Sequence, residues 1–169
     1  VTEGFDRVTY LPYHARCDSR FEIGEKKNHL IRHLMHPKCL VLHSRVELHA
    51  EALDCLPQEF DLVSPRLVTK SGAPYLDLVF LDWSEPAAYP SSLGSGRDYD
   101  RTEYLSQFRR SPAYIQGGAF AVRRAVWESV PLHPRLAWGE MEDVEWCSRL
   151  RHEGFLVDLA PESVAISAT

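Results

Sequence analysis

The sequence has no long apolar run, no surplus of positive charge and no Cys-x-x-Cys pair. No stretch approaches the roughly 20 apolar residues that a helix needs to cross a bilayer, so no membrane span is predicted. The 19 Lys and Arg residues are outnumbered by 24 Asp and Glu residues, which gives a net charge of −5. Because nucleic acid is recognised by a broad basic face, this balance of charge argues against nucleic acid as a partner.

The four cysteines are scattered along the chain. Cys17, Cys39, Cys55 and Cys147 form no close pair, and Cys39 and Cys147 lie within apolar patterns where a thiol acts as a small hydrophobic side chain. Disulfides are rare in reducing compartments. The sequence therefore predicts four free cysteines and a cytoplasmic protein.

Three histidines, His29, His33 and His36, recur at a spacing of i, i+4 and i+7 on a predicted helix. That spacing could place three imidazoles on one face as metal ligands, which would make this a metal-binding structural domain. A structural zinc site takes four protein ligands, and no carboxylate or thiolate at matching spacing completes the set. The favoured interpretation is a solvated helix face.

Apolar periodicity predicts a single α/β domain over residues 1–169, with 44% hydrophobic residues to build its core. Residues 23–35 carry Leu and Ile at helical spacing, whereas 39–42 form a short apolar run typical of a strand buried on both faces. Residues 82–101, rich in Ser, Gly and Pro, are predicted to form a flexible loop, either a functional lid or a plain surface loop. Further strands are predicted at 5–11, 60–68 with an interruption at Pro65, 75–81, 155–159 and 163–166, and short helices at 50–56 and 125–130.

Polar residues and glycines stand at the ends of two apolar strands. The run at 39–42 leads directly into His43, Ser44 and Arg45, and ligands of open α/β sheets bind at the carboxyl ends of strands. Gly117 and Gly118 precede another apolar strand, where the lack of a side chain lets a second group approach the backbone closely. Both positions are candidates for a binding site.

The predicted helix over 138–154 begins with a crowd of acids. Glu140, Glu142, Asp143 and Glu145 follow one another near its start, and basic residues lie near its end. This polarity complements the helix dipole, and an i,i+4 pair with Arg149 explains Glu145. It does not explain the other carboxylates, which repel one another. Crowded carboxylates raise the pKa of one of them, so the alternative interpretation is a general base.

Together these motifs resemble the nucleotide-sugar-dependent glycosyltransferases of the GT-A fold, in particular the inverting family-two enzymes and the galactosyltransferase-like C-terminal module. The resemblance covers residues 20–50 and 111–167. It rests on Lys-Asn in a helix, an apolar strand ending in a polar triplet, Gly-Gly-Ala-Phe, and the run from Trp138 to Gly154 with its Glu-Asp block. It implies a Rossmann-like mixed sheet flanked by helices.

The resemblance also implies roles for individual residues. Asp143, with Glu142 beside it, would be the base that deprotonates the acceptor hydroxyl for in-line attack on the anomeric carbon. The other implied site residues are Lys27, Asn28, His43 and Arg45 for the donor, and Gly117, Gly118, Trp138 and Glu140 for the sugar and acceptor, with Trp138 stacked on a sugar ring.

Two departures from the family pattern concern metal binding. The family's Asp-x-Asp motif, which holds Mg²⁺ or Mn²⁺ on the donor diphosphate, is replaced here by His43-Ser44-Arg45, and the family's metal-binding His is missing from 164–167. Hard cations prefer carboxylate oxygen, so no metal site is predicted at these positions. One hypothesis is that Arg45, with His43, supplies the positive charge. The rival is that Glu47 or Asp18 provides a displaced ligand and the metal is retained.

The sequence thus predicts transfer of a sugar, from a UDP-sugar or another nucleotide-sugar, to a glycan, a lipid-linked acceptor or another hydroxyl. The alternative is a non-catalytic nucleotide-sugar or glycan-binding module of the same fold. A GT-A domain normally starts with a β-α unit that binds the nucleotide base, and the resemblance begins after that unit. The chain is therefore expected to be part of a longer catalytic domain, with any membrane association made by other parts of that protein.

Overall fold

Two β-sheets and three α-helices make up the part of the chain that the computed structural model describes, namely residues 9–14, 21–82, 91–95, 102 and 113–168. The chain is therefore an α/β protein with a mixed sheet, as predicted. In chain order the elements are α1 (Ile23–His33), β1 (Lys38–Leu42), β2 (Val46–Leu48), β3 (Leu62–Thr69), β4 (Leu78–Asp82), β5 (Ser91–Ser95), β6 (Ala113–Ile115), β7 (Ala119–Arg123), α2 (Arg124–Ser129), α3 (Glu142–His152) and β8 (Val157–Ser167).

The larger sheet has the strand order β1-β7-β3-β8-β2. β7 runs antiparallel to both β1 and β3, and β3 runs parallel to β8, so β1, β3 and β8 all point in one direction. The carboxyl end of β1 consequently lies at the same edge of the sheet as the start of β7. This edge brings His43, which follows β1, next to Gly118, which precedes β7: the His43 N–H donates to the Gly118 carbonyl at 2.9 Å.

The prediction that β1 is buried on both faces was wrong. In the described part of the chain β1 pairs with β7 alone, so it is an edge strand of the larger sheet. Its exposure alternates: Cys39 and Val41 are buried, whereas Leu40 and Leu42 are only partly covered. An apolar run does not distinguish a strand buried on both faces from one whose second face is only partly covered by smaller apolar clusters, as Leu40 and Leu42 are here.

The smaller sheet has the antiparallel order β5-β4-β6. β5 falls inside the segment 82–101 that was predicted as a loop, and that prediction is wrong for Ser91–Ser95. Its Ser-Ser-Leu-Gly-Ser sequence has a low strand propensity, and it forms a strand because it completes hydrogen bonds along β4. The other predicted loop residues, apart from Asp82 at the end of β4, lie outside the described residues, as does most of the predicted strand at 5–11.

A bulge in the parallel β3–β8 pair explains why Pro65 can lie within a strand and why the sequence of β8 looks like two separate strands. The register shifts between Pro65 and Arg66, so that Pro65 pairs with Ala160 and Arg66 with Val164. Proline cannot donate a ladder hydrogen bond, which makes a bulge its usual place within a sheet. The strands predicted at 155–159 and 163–166 are thus the two parts of one strand, β8.

Three of the four predicted helices are confirmed and one is wrong. The helix predicted at 125–130 is α2, which lies one residue earlier, and the other two have shorter bounds than predicted. α1 ends at His33, where the chain turns to an extended conformation ahead of Pro37. α3 starts at Glu142 rather than at residue 138, because Met141 adopts a left-handed conformation with φ of 59°. The segment 50–56 forms hydrogen-bonded turns instead of an α-helix.

The main core lies between the larger sheet and α3. Trp146 and Phe120 are both 1% exposed and meet edge to face, with ring centroids 5.2 Å apart. α1 is attached to this core through Gly24, where an added Cβ would lie 2.6 Å from the His133 carbonyl oxygen. Any larger residue at position 24 would push the helix away, so this glycine fixes the depth of α1 and hence the position of Lys27, one turn further on.

The cysteines agree with the prediction where the structure describes them, and the histidines agree only in part. Cys39, Cys55 and Cys147 are free thiols, and Cys17 lies outside the described residues. His29 and His33 are neighbours on α1, with ring centroids 4.6 Å apart, whereas His36 lies beyond the end of the helix. Within the described ranges, no helix is both long and apolar enough to span a membrane.

Candidate active site

Four elements meet at the edge of the sheet where β1 ends. They are the end of β1, the turn between β6 and β7, the first turn of α3 and the middle of α1. The structure brings together six of the residues that the sequence singled out, namely Lys27, His43, Gly117, Gly118, Glu142 and Asp143. This group is called the edge cluster below.

Gly117 lies at the centre of the edge cluster. Its N–H donates to Asp143 Oδ2 at 3.1 Å. A Cβ added at this position would lie 2.7 Å from Lys27 Nζ and 3.5 Å from Glu142 Oε1. The missing side chain is therefore what allows the lysine and the two acids to approach the same turn of backbone.

Asp143 is held by backbone amides. Besides the hydrogen bond from Gly117, its Oδ1 accepts one from the Val144 N–H at 2.9 Å. A carboxylate has about four acceptor positions, so two remain for other donors. The side chain is half-buried, and its negative charge adds to burial in raising the pKa of the Tyr114 hydroxyl. Asp143 is thus a fixed carboxylate with unused acceptor capacity.

Glu142 and Lys27 form a buried ion pair. Lys27 Nζ lies 3.5 Å from Glu142 Oε1, and the two side chains are only 3% and 8% exposed. Burial lowers the pKa of Lys27, while the charges of Glu142 and Asp143 act in the opposite direction. Burial also raises the pKa of Glu142, Asp143 raises it further, and Lys27 opposes both. Each partner makes the ionised form of the other less costly.

The Lys27 ammonium keeps unused hydrogen-bonding capacity. A lysine has three N–H donors, and 3.5 Å is long for a hydrogen bond. Among the described residues Nζ has no hydrogen-bond partner. It also lies 5.7 Å from the centroid of the Phe120 ring, whose face attracts a cation. Nζ is itself buried, and an added methyl group at Gly117 would already crowd it, so this unused donor capacity is not open to a ligand.

His43 is the neutral member of the edge cluster. Burial, followed by the positive charges of Lys27, Arg45 and Lys26, lowers its pKa to about 4. At neutral pH its imidazole therefore carries no charge and has one N–H donor. Its Nε2 is buried and has no partner within the described part of the chain.

Asn28 does not belong to the edge cluster, although it follows Lys27 directly. Its Nδ2 donates to the Leu132 carbonyl at 2.8 Å, and its Oδ1 accepts from Trp127 Nε1 at 2.8 Å and from the Leu132 N–H at 3.1 Å. Neighbouring residues on a helix point about 100° apart, so Lys27 reaches the cluster while Asn28 faces the core. The structure thus assigns Asn28 a packing role in place of the implied donor contact.

The remaining implied residues lie at the margin or on the surface. Trp138 and Glu140 precede α3 instead of forming its first turn, and Glu140 Oε2 accepts a hydrogen bond from the Ala137 N–H at 2.9 Å. The Trp138 side chain is 65% exposed. Arg45 is exposed as well, in the turn that follows β1.

Sequence reasoning missed Tyr114 and Gln116. Tyr114 lies on β6 beside Asp143, and the Gln116 side-chain oxygen accepts a hydrogen bond from the Gly118 N–H at 3.2 Å. Their proximity to the Gly-Gly step was the available signal, because residues just before a tight turn often bond back to it.

The proposed displaced metal ligands are not near the edge cluster in the described part of the chain. Glu47 is exposed on β2, where it pairs with Ile166, and Asp18 lies outside the described residues. Within the residues that the structure describes, no three His, Cys, Asp or Glu side chains come close enough together to hold a metal ion.

Replacing Gly117 with Ala should destabilise the protein by about 1–3 kcal/mol, because the new methyl group must displace the buried Lys27 ammonium from Glu142. Gly118→Ala is the matched control: its Cβ would meet the amide end of the Gln116 side chain, with Oε1 nearest at 2.7 Å, and this partly exposed side chain can rotate away. Urea unfolding of both variants measures the difference. Equal stabilities would show that Lys27 is not confined by the turn.

Comparisons with known proteins do not identify this chain: no family model matches it, and no curated protein is significantly similar to it.

Proposed function

We propose that the chain is a glycosyltransferase of GT-A-like fold that transfers a sugar from a nucleotide-sugar to an acceptor hydroxyl with inversion, and that Asp143 is the general base. The observation that carries the proposal is the position of Asp143, a carboxylate fixed by two backbone amides at the ligand-binding edge of an α/β sheet. The motif resemblance implies Asp143 as the base, and the two hydrogen bonds that hold its carboxylate beside the glycine turn support that choice.

The chemistry requires a base because a sugar hydroxyl is a poor nucleophile. Asp143 accepts the hydroxyl proton as the acceptor oxygen forms a bond to the anomeric carbon, on the face opposite the leaving group. The bond from that carbon to the diphosphate oxygen breaks, and its electron pair leaves with the diphosphate. A positioned base contributes about a hundredfold to ten-thousandfold to such a step.

Glu142 and Lys27 support the base without taking its proton. The ammonium compensates the charge of two adjacent carboxylates that would otherwise repel each other, and the ion pair fixes the start of α3 against α1. Trp138, with its exposed ring, is suited to stacking on a sugar.

A thermal-shift panel of nucleotide-sugars tests this proposal. UDP-, GDP-, CMP- and dTDP-sugars would be added to the full chain, each with Mn²⁺ and with EDTA, because a ligand that binds the native state raises its stability in proportion to its affinity. We expect one class to raise the Tm and to release its nucleotide in the presence of a hydroxyl acceptor.

The other outcomes are equally informative. If no nucleotide-sugar raises the Tm under either condition, the proposed function is wrong. If a nucleotide-sugar binds but is not turned over with any acceptor tested, the chain is a non-catalytic binding module of the same fold.

A further inference from the structure

The residues at the end of β1 do not fit the metal that the GT-A resemblance implies. In place of two carboxylates the chain has His43, Ser44 and Arg45, and a divalent cation prefers carboxylate oxygens. The side chains that act electrostatically on His43 are cations, namely Lys27, Arg45 and Lys26. Lys27 is already paired with Glu142, but Arg45 and Lys26 would repel a metal ion bound here.

The same environment is suited to an anion. Arg45 and Lys26 are exposed, so their charged groups can reach a bound molecule. The His43 backbone is hydrogen-bonded to Gly118, and the His43 Nε2 is buried without a partner among the described residues. Guanidinium, ammonium and a neutral imidazole N–H are all hydrogen-bond donors, and a guanidinium matches two phosphate oxygens at once.

We infer that the donor's diphosphate is held by Arg45, Lys26 and the His43 imidazole, and that its binding requires no divalent metal. This inference rests on the proposed function, because it concerns the leaving group of the same reaction. When the bond to the anomeric carbon breaks, negative charge develops on the diphosphate oxygen, and Arg45 supplies the compensating charge that a metal would otherwise bring.

Calorimetric titration of the full chain with UDP and with inorganic pyrophosphate tests the inference without relying on turnover. We expect the affinity for either probe to be the same, within about twofold, in EDTA and in Mn²⁺. Arg45→Met should weaken binding about tenfold or more, the loss typical of a charge-assisted hydrogen bond. Lys26→Met should weaken it less, because an ammonium cannot bind two oxygens in a fork.

Arg124→Met is the matched control. It removes the same charge from the opposite edge of the sheet, where Arg124 pairs with Glu128, and it should leave binding unchanged. Binding that appears only with Mn²⁺ would overturn the inference while leaving the proposed function intact. Binding in EDTA that Arg45→Met does not weaken would overturn the assignment of the residues. If neither probe nor any nucleotide-sugar binds with or without metal, the proposed function fails as well.

Discussion

Asp143→Asn should lower sugar transfer by about a hundredfold to ten-thousandfold and leave donor affinity nearly unchanged, because an amide has the shape of the carboxylate but cannot accept the hydroxyl proton. The substitution also has a structural cost. The carboxylate accepts from both Gly117 and Val144, and an amide can present only one oxygen to these two N–H groups. We therefore expect a loss of stability of about 1 kcal/mol, too little to unfold the protein.

Initial rates of nucleotide release with a saturating donor and acceptor measure this effect, and calorimetry measures donor affinity separately. Glu145→Gln is the matched control: it lies on the same helix and removes the same charge, but its carboxylate faces Arg149 at 2.9 Å on the surface. It should transfer sugar at the rate of the unmodified protein. If Asp143→Asn were equally active, the base would be another residue, and Glu142 would be the next to test.

The parts of the site that lie along one segment could be predicted from the sequence. The apolar spacing in α1 and α3 predicted both helices, and the glycine pair predicted a close approach of another group to the backbone. The Glu-Asp block was identified because the pair with Arg149 explains Glu145 and leaves the other carboxylates near the start of α3 unexplained. These signals are local, so they do not depend on how the chain folds back on itself.

The direction of single side chains could not be predicted. Lys27 and Asn28 are adjacent, and only the docking of α1 decides that the first faces Glu142 and the second Trp127. Likewise, the left-handed conformation of Met141 removes Trp138 and Glu140 from α3. A left-handed methionine has no sequence signal, since this conformation is unfavourable for a residue with a side chain and persists only where surrounding contacts impose it.

The position of β1 at the edge of the sheet shows a different kind of limit. Its apolar run predicted a strand and, wrongly, one buried on both faces, because an apolar side chain is also tolerated on a face that is only partly covered, as at Leu40 and Leu42. The carboxyl end of β1 nevertheless lies at the same edge of the sheet as the carboxyl ends of β3 and β8, where the sequence placed a candidate binding site. The prediction of a functional cluster at His43 depended on strand direction, which β1 shares with β3 and β8.

Lys27→Met should destabilise the protein by about 3–5 kcal/mol, the usual consequence of removing one partner of a buried ion pair. Methionine fills most of the space of the lysine stem, so the loss arises mainly from the charge. Glu142 would remain 6% exposed beside Asp143, without the ammonium that compensates both. Lys26→Met, one residue earlier on the exposed face of α1, is the control and should change the free energy of unfolding by less than about 0.5 kcal/mol.

A double-mutant cycle separates the ion pair from simple loss of packing. Glu142→Gln alone should also be destabilising, because it leaves a buried ammonium, although Asp143 still partly compensates its charge. In the combined variant neither charge remains buried without its partner, so the loss should be clearly smaller than the sum of the two single losses. Urea unfolding followed by tryptophan fluorescence gives all four free energies. Additive losses would show that the two side chains do not act as a pair, and that the compensation of charge at Asp143 comes from elsewhere in the edge cluster.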